Sequence, residues 1–237
     1  MVLSELTTRI FADGADLESI FTLATDPRIS GFTTNPTLMR QAGLSEYSDF
    51  AHQLLSRVTE HSVSFEVLAD DPEEMTRQAK FIGGWGDNVY VKIPVTTTVG
   101  VSTAPIVRAL SESGVKVNVT AVFTLDQVET MVDALQDGAP AYISVFAGRI
   151  ADAGVDPLPI MAEVVDLLKR DSHAELIWAS PREVLNLIQA DNLGCHIITM
   201  THDLLKKVDG LGKDLHQFSL ETVQMFHRDA LAAGLVL

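Results

Sequence analysis

The sequence predicts one (β/α)8 barrel across residues 1–237, with an additional C-terminal helix at about 214–233. Eight apolar runs alternate with helix-length amphipathic stretches along the whole chain. The 237 residues fit one large α/β domain, and no Ser/Gly-rich linker divides them. Most of the runs also end in polar residues, as expected where a barrel gathers its active site at the C-terminal ends of its strands.

The first strand, Ile10–Asp13, leads into a helix at Leu17–Leu23, and the second, Gly31–Asn35, into one at Tyr47–Val58. Val63–Val67 precedes Glu73–Ile82, Val89–Ile93 precedes Ile106–Leu110, and Val117–Ala121 precedes Leu125–Leu135. Tyr142–Phe146 is followed by Ile160–Leu168 and Glu175–Ala179 by Glu183–Ile188; after His196–Thr199 the chain passes through Leu204–Val208 into a tail that does not fit a further βα unit. The helices carry apolar residues at i and i+3 or i+4. Pro72, Pro105 and Pro181 stand where helices begin, and Gly43, Gly114, Gly138 and Gly154 fall between elements. A doubly wound sheet is the alternative, but Gly83-Gly84-Trp85-Gly86 precedes a strand, so it is a turn and not a dinucleotide loop. After Gly210-Leu211-Gly212, the spacing of Leu220, Val223, Phe226 and Ala230 predicts the extra helix, covering the barrel or a neighbouring subunit.

Hydrophobic residues make up 46% of the chain and charged residues 21%, an ordinary globular balance. No apolar stretch reaches the ~18 residues of a membrane span. The opening MVLSELTTRIF lacks the basic and apolar segments of a secretory leader. Cys195 is the single cysteine and reads as a small buried filler. The expected compartment is the cytoplasm. A formal net charge of −15 argues against nucleic acid or an anionic membrane as partner. Any phosphorylated substrate must therefore be held by local Arg or Lys residues.

Side chains alternate along a strand, so one set points into a barrel and the other packs under the helices. In the fourth strand Val89, Val91 and Ile93 form the outward apolar set, which turns Tyr90 and Lys92 inward. Glu66 joins Ser62 and Ser64 on the inward face of the third strand, Asn118 joins Thr120 on the fifth, and Ser144 joins Phe146 on the sixth. Asp13, Thr33, Asn35 and Ser180 end the first, second and seventh strands. These residues converge at one mouth of the barrel. Taken singly, a strand-end Asp or Asn is as readily a helix cap, and Asp16, Ser45, Asp70 and Asp71 read as such. An inward lysine is different, since desolvation disfavours an ammonium and a free amine is what attacks a carbonyl. A buried ion pair with Glu66 or Asp13 is the competing account of Lys92. The seven histidines show no HxH or HExxH spacing, so neither a metal nor another cofactor is expected. Arg149 and Arg182 follow the sixth and seventh strands, Arg182 at an expected helix start, and are candidate phosphate ligands.

The segments Phe11-Ala12-Asp13, Gly31-Phe32-Thr33-Thr34-Asn35-Pro36, Val91-Lys92-Ile93-Pro94-Val95-Thr96, Asn118-Val119-Thr120, Ser144-Val145-Phe146-Ala147-Gly148-Arg149-Ile150 and Ala179-Ser180-Pro181-Arg182 resemble those of the transaldolases. The likeness is to the short subfamily that includes the fructose-6-phosphate aldolases. It implies that Lys92 forms a Schiff base with a ketose donor and that Asp13 takes the proton of the donor's C4 hydroxyl. Glu66 and Thr120 hold the water used in forming and releasing the imine. Asn35 and Ser144, with Thr33 and Asn118 beside them, hold donor hydroxyls, and Arg149, Ser180 and Arg182 hold the terminal phosphate. Glu66 and Phe146 match the members that transfer, where the hydrolytic aldolases carry Gln and Tyr. The resemblance also implies sugar-phosphate substrates and a homo-oligomer.

Overall fold

The computed structural model describes residues 5–43, 46–171 and 173–234. Eight parallel strands follow one another around a closed barrel in sequence order. They are β1 (Arg9–Asp13), β2 (Ile29–Thr33), β3 (Ser62–Glu66), β4 (Val89–Pro94), β5 (Val117–Val122), β6 (Ala141–Val145), β7 (Ala174–Trp178) and β8 (Ile197–Thr201), and β8 pairs back onto β1. One helix follows most strands: α1 (Leu17–Leu23), then α4 (Pro72–Gly83), α5 (Ala104–Glu112), α6 (Leu125–Leu135) and α9 (Leu185–Leu193). Two follow β2, α2 (Pro36–Gln41) and α3 (Tyr47–Leu55), and two follow β6, α7 (Ala147–Asp152) and α8 (Pro157–Asp171). The chain finishes in α10 (His202–Val208) and α11 (Leu215–Ala232). The barrel and its C-terminal helix are thus those the sequence predicts.

The differences have local causes. Helices α2 and α7 were not expected, because six residues are too few to display a helical period. Pro181 does not open a helix; α9 begins at Leu185, and Arg182 lies in the loop before it. Asp16 and Asp71 cap α1 and α4 by accepting from Ser19 N and Glu74 N. Asp70 is not a cap: it accepts from the backbone N–H and the hydroxyl of Thr98, tying the loop after β3 to the loop after β4. Ser45, also expected as a cap, lies outside the described residues.

The outward faces of the strands, with Val63, Val91, Ile93 and Val119 fully buried, pack under Leu54, Met75, Leu110 and Met131 of the surrounding helices. A separate cluster plugs the inside of the barrel: Phe11, Tyr142, Ile177 and Ile197, with Tyr90 against them. Tyr90 and Tyr142 stack at 4.0 Å, and Phe11 meets Tyr142 edge-on at 5.7 Å. Gly31 makes room for this plug, since a Cβ there would lie 2.7 Å from the Phe11 ring. Cys195 is buried, and burial pushes its thiol up to about 12, as suits an inert filler. Helix α11 buries none of its residues on this chain and leaves Phe218, Val223 and Phe226 more than half exposed.

Candidate active site

The barrel's plug stops short of its C-terminal mouth, where a cavity of about 440 Å³ opens. Lys92, Asp13, Glu66, Thr120, Thr33, Asn35, Ser144, Phe146, Arg149 and Ser180 all line it. These are ten of the twelve residues singled out from the sequence, contributed by seven strands or the loops that follow them. Strand alternation accounts for the convergence, because Asp13, Thr33 and Glu66 are the last residues of β1, β2 and β3.

Lys92 is 6% exposed. Its Nζ lies 2.9 Å from Glu66 Oε2 and donates to the Thr34 carbonyl at 2.8 Å. The ion pair considered as a rival account of Lys92 is therefore present, inside the cavity and not apart from it. Glu66 sits directly across the β3–β4 register from Lys92, and its own carbonyl accepts from the half-buried Tyr47 hydroxyl at 2.9 Å.

Asp13 accepts from the Thr33 hydroxyl at 2.8 Å and from Asn35 Nδ2 at 3.5 Å. Burial raises its carboxyl above the ordinary carboxylate range; the Lys92 charge and the Thr33 hydrogen bond pull the other way without cancelling it. Asn35 does two things at once. Its Oδ1 caps α2 at Leu38 N while its amide nitrogen faces Asp13 across the cavity.

Asn118 does not line the cavity. It lies beneath, donating to Ser64 Oγ at 3.0 Å and accepting from Ser144 Oγ at 2.7 Å, which fixes the Ser144 side chain. Arg182 also stays off the lining: its guanidinium grips Asp152 on the surface at 2.5–3.2 Å, and its N–H donates to Asn186. Arg149, on α7, reaches the cavity with its guanidinium 5.4 Å from the centre of the Phe146 ring. Gly148 lets this turn approach the loop after β7, for a Cβ there would sit 1.6 Å from the Ser180 carbonyl oxygen. Ser180 and Ala121, both on the lining, hold left-handed backbone at φ 57° and 58°. Such conformations cost a non-glycine residue roughly 1–2 kcal/mol and gather at functional sites.

Sequence reasoning passed over four contributors. Thr199 lines the cavity and follows Ile197 on the inward face of β8, so strand alternation could have found it. Thr34 and Tyr47 act on Lys92 and Glu66 from a loop and a helix, where no strand period points to them. Helix α2 supplies one wall through Pro36, Leu38 and Gln41.

Comparison with known proteins identifies the family. The family described as Transaldolase/Fructose-6-phosphate aldolase matches residues 10–235. A probable transaldolase of Dehalococcoides mccartyi is 36% identical over 84% of this chain and 89% of its own. Another, from a Thermoanaerobacter species, is 32% identical over 96% of this chain and 99% of its own. Among solved structures, a putative lyase/mutase from Burkholderia cenocepacia superposes with a TM-score of 0.61 at 13% identity, covering 89% of this chain and 85% of that one. A putative phosphonomutase of the same organism gives 0.57 at 11% identity over 96% of both chains; these two likenesses are of fold alone. The chain belongs to the transaldolase/fructose-6-phosphate aldolase family and is an enzyme of the transaldolase type.

Proposed function

We propose that this enzyme carries a dihydroxyacetone unit from a ketose phosphate, of the fructose 6-phosphate or sedoheptulose 7-phosphate type, to an aldose phosphate. One observation carries the reading: a buried amine, Lys92 Nζ, faces the same cavity as two carboxylates, one 2.9 Å away and the other held by Thr33 and Asn35. Glu66 takes the proton of Lys92, and the free amine attacks the donor's C2 carbonyl. With Thr120, Glu66 then serves the loss of water that leaves a protonated imine. The C3–C4 bond breaks with its electron pair drawn into that imine, while Asp13 removes the proton of the C4 hydroxyl. An aldose leaves and an enamine stays on Lys92. When an acceptor aldehyde arrives, the enamine carbon bonds to its carbonyl carbon and Asp13 returns the proton to the new alkoxide. Water releases the product ketose. Burial, which raises the Asp13 carboxyl, favours its taking a proton, and the Lys92 charge favours its return.

Thr33, Asn35 and Ser144 hold the donor's hydroxyls, and Asn118 steadies Ser144. Arg149 and Ser180 receive the phosphate at the mouth, joined by Arg182 once it releases Asp152. Both partners of that pair are about half exposed, and such a pair is worth only about 0–1 kcal/mol, so the exchange is cheap.

The second reading is a lyase that frees dihydroxyacetone without an acceptor. Phe146 favours transfer: its ring lines the cavity and offers the waiting enamine no proton. Fructose 6-phosphate incubated without acceptor should therefore yield little free dihydroxyacetone, and adding an aldose phosphate should start turnover. Phe146→Tyr introduces a hydroxyl, and a well-placed acid is worth about 10²–10⁴-fold in rate. We expect that variant to release dihydroxyacetone without acceptor and to lose transfer. Unchanged release in a folded variant that still forms the imine would make Phe146 mere packing.

The exposed apolar residues of α11 support self-association, since contiguous exposed apolar surface marks interaction sites. Sedimentation should find an oligomer, and Phe226→Glu with Val223→Glu should shift it toward monomer. A monomeric native protein would refute this.

A further inference from the structure

The carboxylate assigned as base is reached by two hydroxyls in series. Thr33 Oγ1 lies 2.8 Å from Asp13 Oδ1 and 2.5 Å from Thr199 Oγ1, and the two threonines are 3% and 6% exposed. A hydroxyl has one proton to give, and an ionised carboxylate can only accept. The Thr33 proton therefore points to Asp13, and the short contact to Thr199 requires Thr199 to be its donor. While Asp13 is ionised, proton order along this chain runs in one direction, from Thr199 to Thr33 to Asp13.

We infer that Thr199 is a positioning residue for carbon–carbon bond cleavage, acting through Thr33 to keep that hydroxyl turned toward Asp13 while the carboxylate faces the substrate. The inference rests on Asp13 being the base, as proposed above. Without the Thr199 hydroxyl, the Thr33 oxygen loses the donor that polarises it, and a chain of hydrogen bonds weakens when one member is removed. Thr33 would then hold the charged form of Asp13 less well.

The other charged groups around Asp13 stay in place in this comparison. Lys92, Glu66 and Arg149 share the cavity with it, and Asp16 and His202 share an adjoining cleft of about 90 Å³. Burial and Glu66 push the Asp13 carboxyl up; Lys92, Thr33 and Asn35 draw it down. A weaker Thr33 bond must move it further up, so the base is lost at a higher pH as the solution is acidified.

The test is the pH dependence of kcat for transfer from fructose 6-phosphate, measured for Thr199→Val, Thr199→Ala, Thr199→Ser and Thr33→Val. Val keeps the shape and removes the hydroxyl; Ala serves if Val disturbs folding. In Val or Ala we expect the acid limb to rise by about half to one pH unit, a rate about three- to tenfold lower below it. The alkaline side and the yield of borohydride-trapped imine should be unchanged, and Ser should restore the native limb. A uniform loss at every pH, or a Ser variant that fails to restore, overturns the role of Thr199. An acid limb moved by Thr33→Val but not by Thr199→Val or Ala also overturns it while leaving Asp13 as the base. A limb that neither substitution moves removes Asp13 as the titrating base, and the relay with it.

Discussion

On the proposed mechanism, borohydride should trap a dihydroxyacetone adduct on the native enzyme, and Lys92→Met should abolish it and lower transfer by about 10⁴-fold or more, the scale on which deleting a covalent nucleophile acts. Methionine keeps most of the side chain's length and volume but has no amine, so the cavity keeps its shape and loses its chemistry. Mass spectrometry of the reduced complex should find the added mass on the peptide containing Lys92 in the native protein and nowhere in the variant. An adduct on a different lysine would overturn the assignment. The same variant tests what the ion pair does for the fold. Removing one partner of a buried pair costs about 3–5 kcal/mol when the remaining charge is trapped. The Glu66 side chain keeps 17% of its exposure and can take up a proton or water, so the loss should be smaller. Adding Glu66→Gln to Lys92→Met should recover part of it in denaturant titrations.

Gly148→Ala should be the most damaging single methyl group that can be added near this site. Its Cβ would fall 1.6 Å from the Ser180 carbonyl oxygen and 2.6 Å from the Ser180 carbonyl carbon, and backbone cannot swing aside as a flexible side chain can. The loop after β7 must move bodily, taking the left-handed Ser180 and Arg182 with it. Overpacking of this kind typically costs about 1–3 kcal/mol, and a contact this close belongs at or above the upper end. The proposed phosphate ligands would leave register with Lys92, so KM for fructose 6-phosphate should rise about ten- to a hundredfold, the cost of losing a charge-assisted hydrogen bond. KM for unphosphorylated fructose should move much less. Equal rises for both sugars would mean that this loop does not serve the phosphate.

The barrel was legible because its strands are long enough to alternate and its outward faces are almost wholly aliphatic, so one lysine among Val89, Val91 and Ile93 had only one way to point. The same rule found Glu66, Ser144 and Thr120. It failed wherever position depends on a short or irregular segment. Arg182 was expected at a helix start because Pro181 commonly opens helices, but the chain runs on to Leu185 first and the guanidinium turns to Asp152. Asp70 carries the composition of a cap, yet its partner is Thr98, 28 residues away. Tyr47 bears on Glu66 across a helix–strand contact that no local pattern announces.

Closure of the barrel in sequence order has a consequence for how the protein comes to exist. Within the barrel β1 is made first and β8 last, yet they are neighbours, and Asp191 accepts from the backbone N–H groups of Thr7 and Thr8 across gaps of 184 and 183 residues. Contacts of such sequence separation are paid for in chain entropy before they return anything, which slows folding. Asp13 stands on the first strand, the hydroxyl behind Thr33 on the last. A ribosome-bound chain that already carries Lys92, Glu66 and Asp13 still has an open seam beside Asp13, so the cavity wall is completed only as the final strand joins the first.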